Sequence, residues 1–118
     1  MVSDSDVISE WWTIPDVMER TGVSLQQARR WVQERDVVAL RRGPDAVLMV
    51  PAGFFVDDGP LPALRGTITV LADGGQSDEE IVAWLHAPDD SLTGGSALAS
   101  LHAGAKTEVR RRAQEQAF

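Results

Sequence analysis

The sequence predicts a mainly α fold carrying one small β-hairpin. Three observations lead there: two capped helical periods before residue 36, strand-like runs between 37 and 50, and helical periods again from 62 onward. At 118 residues, 43% of them apolar, the chain suits one compact unit or two very small ones around a modest core.

Residues 1–10 read as a flexible polar tail. Thr13 offers an N-cap, Pro15 sits in the first turn, and Asp16 suits the helix dipole. Ile14, Val17, Met18 and Thr21 then follow at helical spacing, and Gly22 stops the helix. Ser24 caps a second helix at once, with Leu25, Ala28, Trp31, Val32 and Arg35 along one face. Val37–Leu40 and Val47–Val50 are β-rich runs around the turn Arg41-Arg42-Gly43-Pro44-Asp45. Pro51 ends the hairpin and opens a short helix over Ala52–Phe55. Asp57-Asp58-Gly59-Pro60 breaks the pattern, which sets the expected boundary between residues 11–58 and 59–118.

The second half reads as helical throughout. Pro62–Ala72 forms a helix stopped by Gly74-Gly75. Ser77 caps the next, with Asp78-Glu79-Glu80 in its first turn and Ile81, Val82, Trp84 and Leu85 as its apolar stripe. After Pro88 and a loop over Asp89–Gly95, Ser96 caps a last helix running to the C-terminus. Leu98, Leu101, Ala105 and Val109 share a face of it, and Gly104 weakens it. This half is expected to pack on the first, or to form a homodimer through that apolar face.

Composition removes several functions. No cysteine is present, so a disulfide framework, a thiolate zinc site and a cysteine nucleophile are excluded. The polar start Met-Val-Ser-Asp-Ser-Asp is no signal peptide, and no apolar run approaches a membrane span. A cytoplasmic chain without a membrane partner is expected. The acidic clusters lack the alternating spacing of a calcium loop. His86 and His102 fall on separate helices without further metal ligands at a usual spacing. His86, near a helix C-terminus, reads as a favourable dipole contact. No phosphate-binding glycine loop or nucleophile constellation occurs, so neither an enzyme nor a cofactor is expected.

Net charge is −7, with the acid concentrated in the middle of the chain. Residues 24–44 run the other way, with five arginines against Glu34 and Asp36. Placed on a wheel with Ala28 and Val32 inward, the second helix turns Gln26, Arg30 and Gln33 outward, flanked by Gln27 and Arg29. Arginine grips guanine or phosphate and glutamine pairs with adenine, so this face suits a DNA major groove. Arg41 and Arg42, at the base of the hairpin turn, would reach the adjacent backbone or minor groove. A capped helix, a glycine turn, a second capped helix and a basic hairpin together describe a winged helix-turn-helix. Alone, any pair of these arginines is better explained as a solvated face; the ordered set favours double-stranded DNA as partner. Trp31 and Trp84 lie on apolar faces and read as core. One of Trp11 and Trp12 is expected to staple the first helix and the other to pack against the second half.

Gly22-Val23-Ser24, Ala28-Arg29-Arg30-Trp31-Val32 and Val38-Ala39-Leu40-Arg41-Arg42 resemble MerR-like and excisionase-type winged helix-turn-helix domains. Pro51-x-x-Phe54-Phe55, Gly66-Thr67-Ile68-Thr69-Val70-Leu71-x-Asp73-Gly74-Gly75, Glu80-Ile81-x-x-Trp84-Leu85 and Pro88-Asp89-x-Ser91-Leu92 resemble a small actinobacterial family. Its mycobacterial member binds DNA and is a substrate of a serine/threonine protein kinase. The resemblance continues through Leu101-His102-Ala103 and Val109-Arg110-Arg111-x-Ala113. It implies Arg29 and Arg30 as recognition contacts, Arg41 and Arg42 as wing contacts, and a kinase as a further partner; the DNA-binding surface itself reads as that of a sequence-specific or architectural binder, with transcription regulation at the nucleoid as the natural role. The family's longer N-terminal tail is nearly absent here, and none of Ser3, Ser5, Ser9 and Thr13 is surrounded by basic residues. The rival reading is a protein-interaction adaptor on the same fold without DNA, favoured by the net charge.

Overall fold

The computed structural model describes residues 8–116. The expected tail therefore lies mostly outside the described residues, although Ile8 already packs against the core. Strand β1 (Trp11–Thr13) leads directly into α1 (Ile14–Thr21). Thr13 and Asp16 close a capping box: the Asp16 amide donates to Thr13 Oγ1 at 3.2 Å, and the Thr13 amide donates to Asp16 Oδ2 at 3.0 Å. Gly22 ends α1 in the left-handed region at φ 79°, its N–H on the Met18 carbonyl. Ser24 caps α2 (Leu25–Gln33) through the Gln27 amide at 3.1 Å. Val17 and Ala28, each 1% exposed, are the residues α1 and α2 send into the core.

The hairpin is β2 (Leu40–Arg42) and β3 (Val47–Pro51), with Leu40 opposite Met49 and Arg42 opposite Val47. It starts later than the expected Val37. Val37 and Val38 are both buried, whereas successive residues of a strand with one solvated face alternate. They instead close the end of α2, where the amides of Asp36 and Val37 donate to the Trp31 carbonyl. The sheet has a third strand that sequence reading missed. β1 pairs antiparallel with β3, Trp12 opposite Val50, giving the order β1-β3-β2. Trp11 and Trp12 are thus sheet residues, and Trp12 stacks on Phe55 at 5.2 Å.

A 3-10 turn (Ala52–Phe54) buries Phe54 completely. The break at 57–60 is a tight antiparallel hairpin, β4 (Phe55–Val56) with β5 (Gly59–Pro60). Helices α3 (Leu64–Asp73) and α4 (Asp78–His86) follow, the latter with a full capping box between Ser77 and Glu80. The expected last helix is two: α5 (Ala97–His102) and α6 (Lys106–Gln116). Gly104, at φ 86°, ends α5 rather than merely weakening a continuous helix. The Ala105 amide donates back to the Ser100 carbonyl across the break.

Both halves share one core. Val17, Ala28 and Val50 from the first belong to the same buried cluster as Ile68, Ile81, Leu101, Val109 and Ala113 from the second. Leu98, Leu101 and Val109 spend their apolar face inside the molecule, so that face does not offer a dimer surface. Trp31 and Trp84 are half-buried against the core edge rather than enclosed in it. Arg35 of the first half and Asp78 of the second join at 2.8 Å, as do Arg65 and Asp36 more loosely at 3.5 Å. His102 Nε2 also lies 2.7 Å from the Gly53 carbonyl. Among the described residues no helix is long and apolar enough to cross a membrane.

Candidate nucleic-acid interface

The 3.6-residue period fixes what α2 shows to solvent. With Ala28 buried, Gln26, Arg29, Arg30 and Gln33 are exposed and Gln27 is half-buried. Neither Arg29 nor Arg30 forms an ion pair among the described residues. The Gly22 turn and the Ser24 cap set where this surface begins. Arg35, by contrast, adopts the left-handed conformation at φ 64° and turns to Asp78. It ties α2 to α4 and is removed from the exposed face.

The two wing arginines separate. Adjacent residues of a strand point to opposite faces, and the register puts Arg42 on the same sheet face as Trp11. There the Arg42 guanidinium covers the indole, 4.1 Å from its centre. Arg41 is exposed on the other face, its Nη1 donating to the Ala46 carbonyl at 3.1 Å across the turn. Arg20, in the last turn of α1, was not among the residues singled out from sequence. It is exposed and lies 5.6 Å from the Trp12 ring centre. Its position at the end of the first helix of a helix-turn-helix was the available signal.

Acid borders the wing. Leu40, Arg41 and Arg42 line a cleft of about 380 Å³ together with Glu79, Glu80, Val82 and Ala83 of α4. The Glu80 carboxyl is held below the usual range by hydrogen bonds from the Ser77 backbone and side chain, so it stays charged. Among the described residues no group of three or more metal-ligating side chains converges. His86 occupies the last turn of α4, the position in which a helix-end contact is expected of it. Its ring packs against Phe54 at 5.5 Å, and its burial favours the neutral form, only partly offset by the hydrogen bond to the Val82 carbonyl.

A capped two-helix turn, a three-stranded sheet with a hairpin wing, and a helical second half on a common core define a winged helix-turn-helix protein with a C-terminal helical domain. Residues 2–55 match the family described as "DNA-binding protein Rv2175c, wHTH domain", and residues 61–117 match "Rv2175c C-terminal domain of unknown function". The chain is 38% identical to "DNA-binding protein Rv2175c" of Mycobacterium tuberculosis (strain ATCC 25618 / H37Rv) over 119 residues, covering 91% of this chain and 80% of that protein. The structure resembles the NMR structure of Rv2175c with a TM-score of 0.80 at 32% identity, covering 92% of this chain and 82% of that one. The chain belongs to the Rv2175c family.

Proposed function

We propose that this protein binds duplex DNA by laying α2 in the major groove. The observation that carries this reading is the exposed face of α2, built of Gln26, Arg29, Arg30 and Gln33 with Gln27 at its edge. Arginine and glutamine are the side chains that read guanine and adenine edges bidentately. The family's name, given to a relative that this chain matches along most of its length, supports the same ligand. Arg41 then serves as the wing's phosphate contact. Arg42 positions the wing through Trp11 and offers its remaining donors to the backbone. Arg20 stands where the first helix of such a motif crosses the phosphates. A regulator of transcription, working at the nucleoid, is the role such a surface serves best, within the MerR-like and excisionase-like group of winged domains.

Titration of a labelled duplex into isotopically labelled protein tests this. Amide shifts confined to α2 and the β2–β3 turn support it. Shifts elsewhere with α2 silent overturn it.

One observation favours the adaptor reading: Glu79 and Glu80 share a cleft with the wing arginines, and the chain carries a net charge of −7. Loss of function on substitution of Trp11 or of residues 78–80, with Arg29→Ala/Arg30→Ala silent, would establish it. The kinase partner implied by the family resemblance finds no ready acceptor at Thr13, whose Oγ1 is engaged in the α1 cap. Ser9 is exposed, and Ser3 and Ser5 lie outside the described residues.

A further inference from the structure

We propose that the outer face of α6 is a second phosphate-contacting surface for the same duplex, a role that rests on the DNA reading of α2. Lys106, Arg110 and Arg111 are exposed there and line one shallow groove with Thr107 and Gln114. Among the described residues none of the three cations forms an ion pair. Threonine and glutamine are neutral donors that commonly accompany arginine and lysine on phosphates.

This distribution runs against the stability of the helix that carries it. Lys106 is the first residue of α6, where the helix dipole favours acids. Lys106 and Arg110 are four residues apart, a like-charge spacing that costs a few tenths of a kcal/mol. The helix nevertheless sorts its charge. Glu108, Arg112 and Glu115 fall together on the wheel, and Arg112 approaches Asp89 at 3.8 Å. Lys106 and Arg110 stand on the opposite side from those acids, flanked by Thr107 and Gln114, while Arg111 lies at the edge, three residues after Glu108 and four before Glu115. Lys106 and Arg110, a like-charge pair with no acid three or four residues away on the helix, break a local rule in the way expected of a functional surface.

The face is also joined to the DNA-binding half. Asp36, just beyond α2, meets Arg65 of α3. The next residue, Gly66, lies under the Arg110 guanidinium, where a Cβ would collide with Nη2. What favours nucleic acid over an acidic protein as the occupant is the distribution of charge along the chain. The surplus of basic residues is confined to the α2–wing segment and α6, while the segment between them is acidic.

The test is the salt dependence of duplex binding by the full chain, comparing wild type, Lys106→Gln/Arg110→Gln/Arg111→Gln, and Arg29→Ala/Arg30→Ala. The proposal predicts that the α6 variant binds every duplex sequence more weakly. Its slope of log K against log salt should fall by about 1 for each phosphate that the variant no longer neutralises. Thermal denaturation should leave the variant as stable as wild type or slightly more so, since like-charge repulsion is relieved. Lys106→Arg/Arg111→Lys should keep the wild-type slope. An unchanged slope in the α6 variant, with binding still abolished in the Arg29/Arg30 variant, overturns the proposal while the α2 reading stands, and leaves an acidic protein as the occupant. Absence of DNA binding by wild type overturns both.

Discussion

The Arg42 guanidinium stacks over the Trp11 ring at 4.1 Å and thereby links the two outer strands of the sheet across β3. Among the described residues the side chain of Arg41, its neighbour, makes one hydrogen bond, to the Ala46 carbonyl across the turn. Two arginines adjacent in sequence therefore divide into a structural and an exposed one. Arg42→Ala should lower stability by about 0.5–2 kcal/mol, the range of a cation–π contact, and weaken DNA binding as well. Arg41→Ala should shift stability by less than about 0.5 kcal/mol and weaken binding alone. Chemical denaturation beside a binding assay separates the two effects.

The α1–α2 turn depends on backbone conformation at Gly22 and on the Ser24 cap. A Cβ at Gly22 meets no heavy atom within 4 Å, so Gly22→Ala is penalised by its φ of 79° and not by collision. The expected cost is about 1–2 kcal/mol. Ser24→Ala removes the acceptor for the Gln27 amide and should cost about 1 kcal/mol. Urea unfolding midpoints check both.

Arg35 and Asp78 join the two halves through an ion pair whose side chains are 40% and 47% exposed. Exposure limits its value. A double-mutant cycle with Arg35→Ala and Asp78→Ala should give a coupling of about 0.2–1 kcal/mol that shrinks in high salt.

Burial holds the His86 imidazole below its ordinary value of 6.5. The folded state thus binds this proton less readily than the unfolded chain does. Stability from neutral His86 is complete above about pH 6.5 and falls as pH drops from there toward the folded value. His86→Gln should flatten stability between about pH 7.5 and 5.5, measured by denaturation at each pH. A slope equal to wild type would refute the assignment. Glu80 and Asp89, both held below their ordinary values of 4.5 and 3.8, titrate beneath that window.

Much of this was legible locally. The caps at Thr13, Ser24, Ser77 and Ser96 and the stop at Gly22 are short-range chemistry, and each acts as its residue type dictates. The exposed face of α2 followed from the helical period once Ala28 was placed inward. What escaped reading depends on distant partners. β1 is three residues long and pairs with residues about 40 positions away, so Trp11-Trp12-Thr13 carried no local alternation to mark it. The late start of β2 follows from the burial of both Val37 and Val38, which only the completed core reveals. Gly104 was visible but ambiguous, because glycine inside a helix and glycine ending one differ only in what packs around the turn. The separation of Arg41 from Arg42 needed the register against β1.

The proposed DNA-reading surface is α2. Fluorescence anisotropy of a labelled duplex at low and moderate salt, with wild type and a folded Arg29→Ala/Arg30→Ala variant, tests it most directly. Wild-type binding should weaken steeply with salt and be abolished in the variant. Binding of equal strength by both proteins would contradict it.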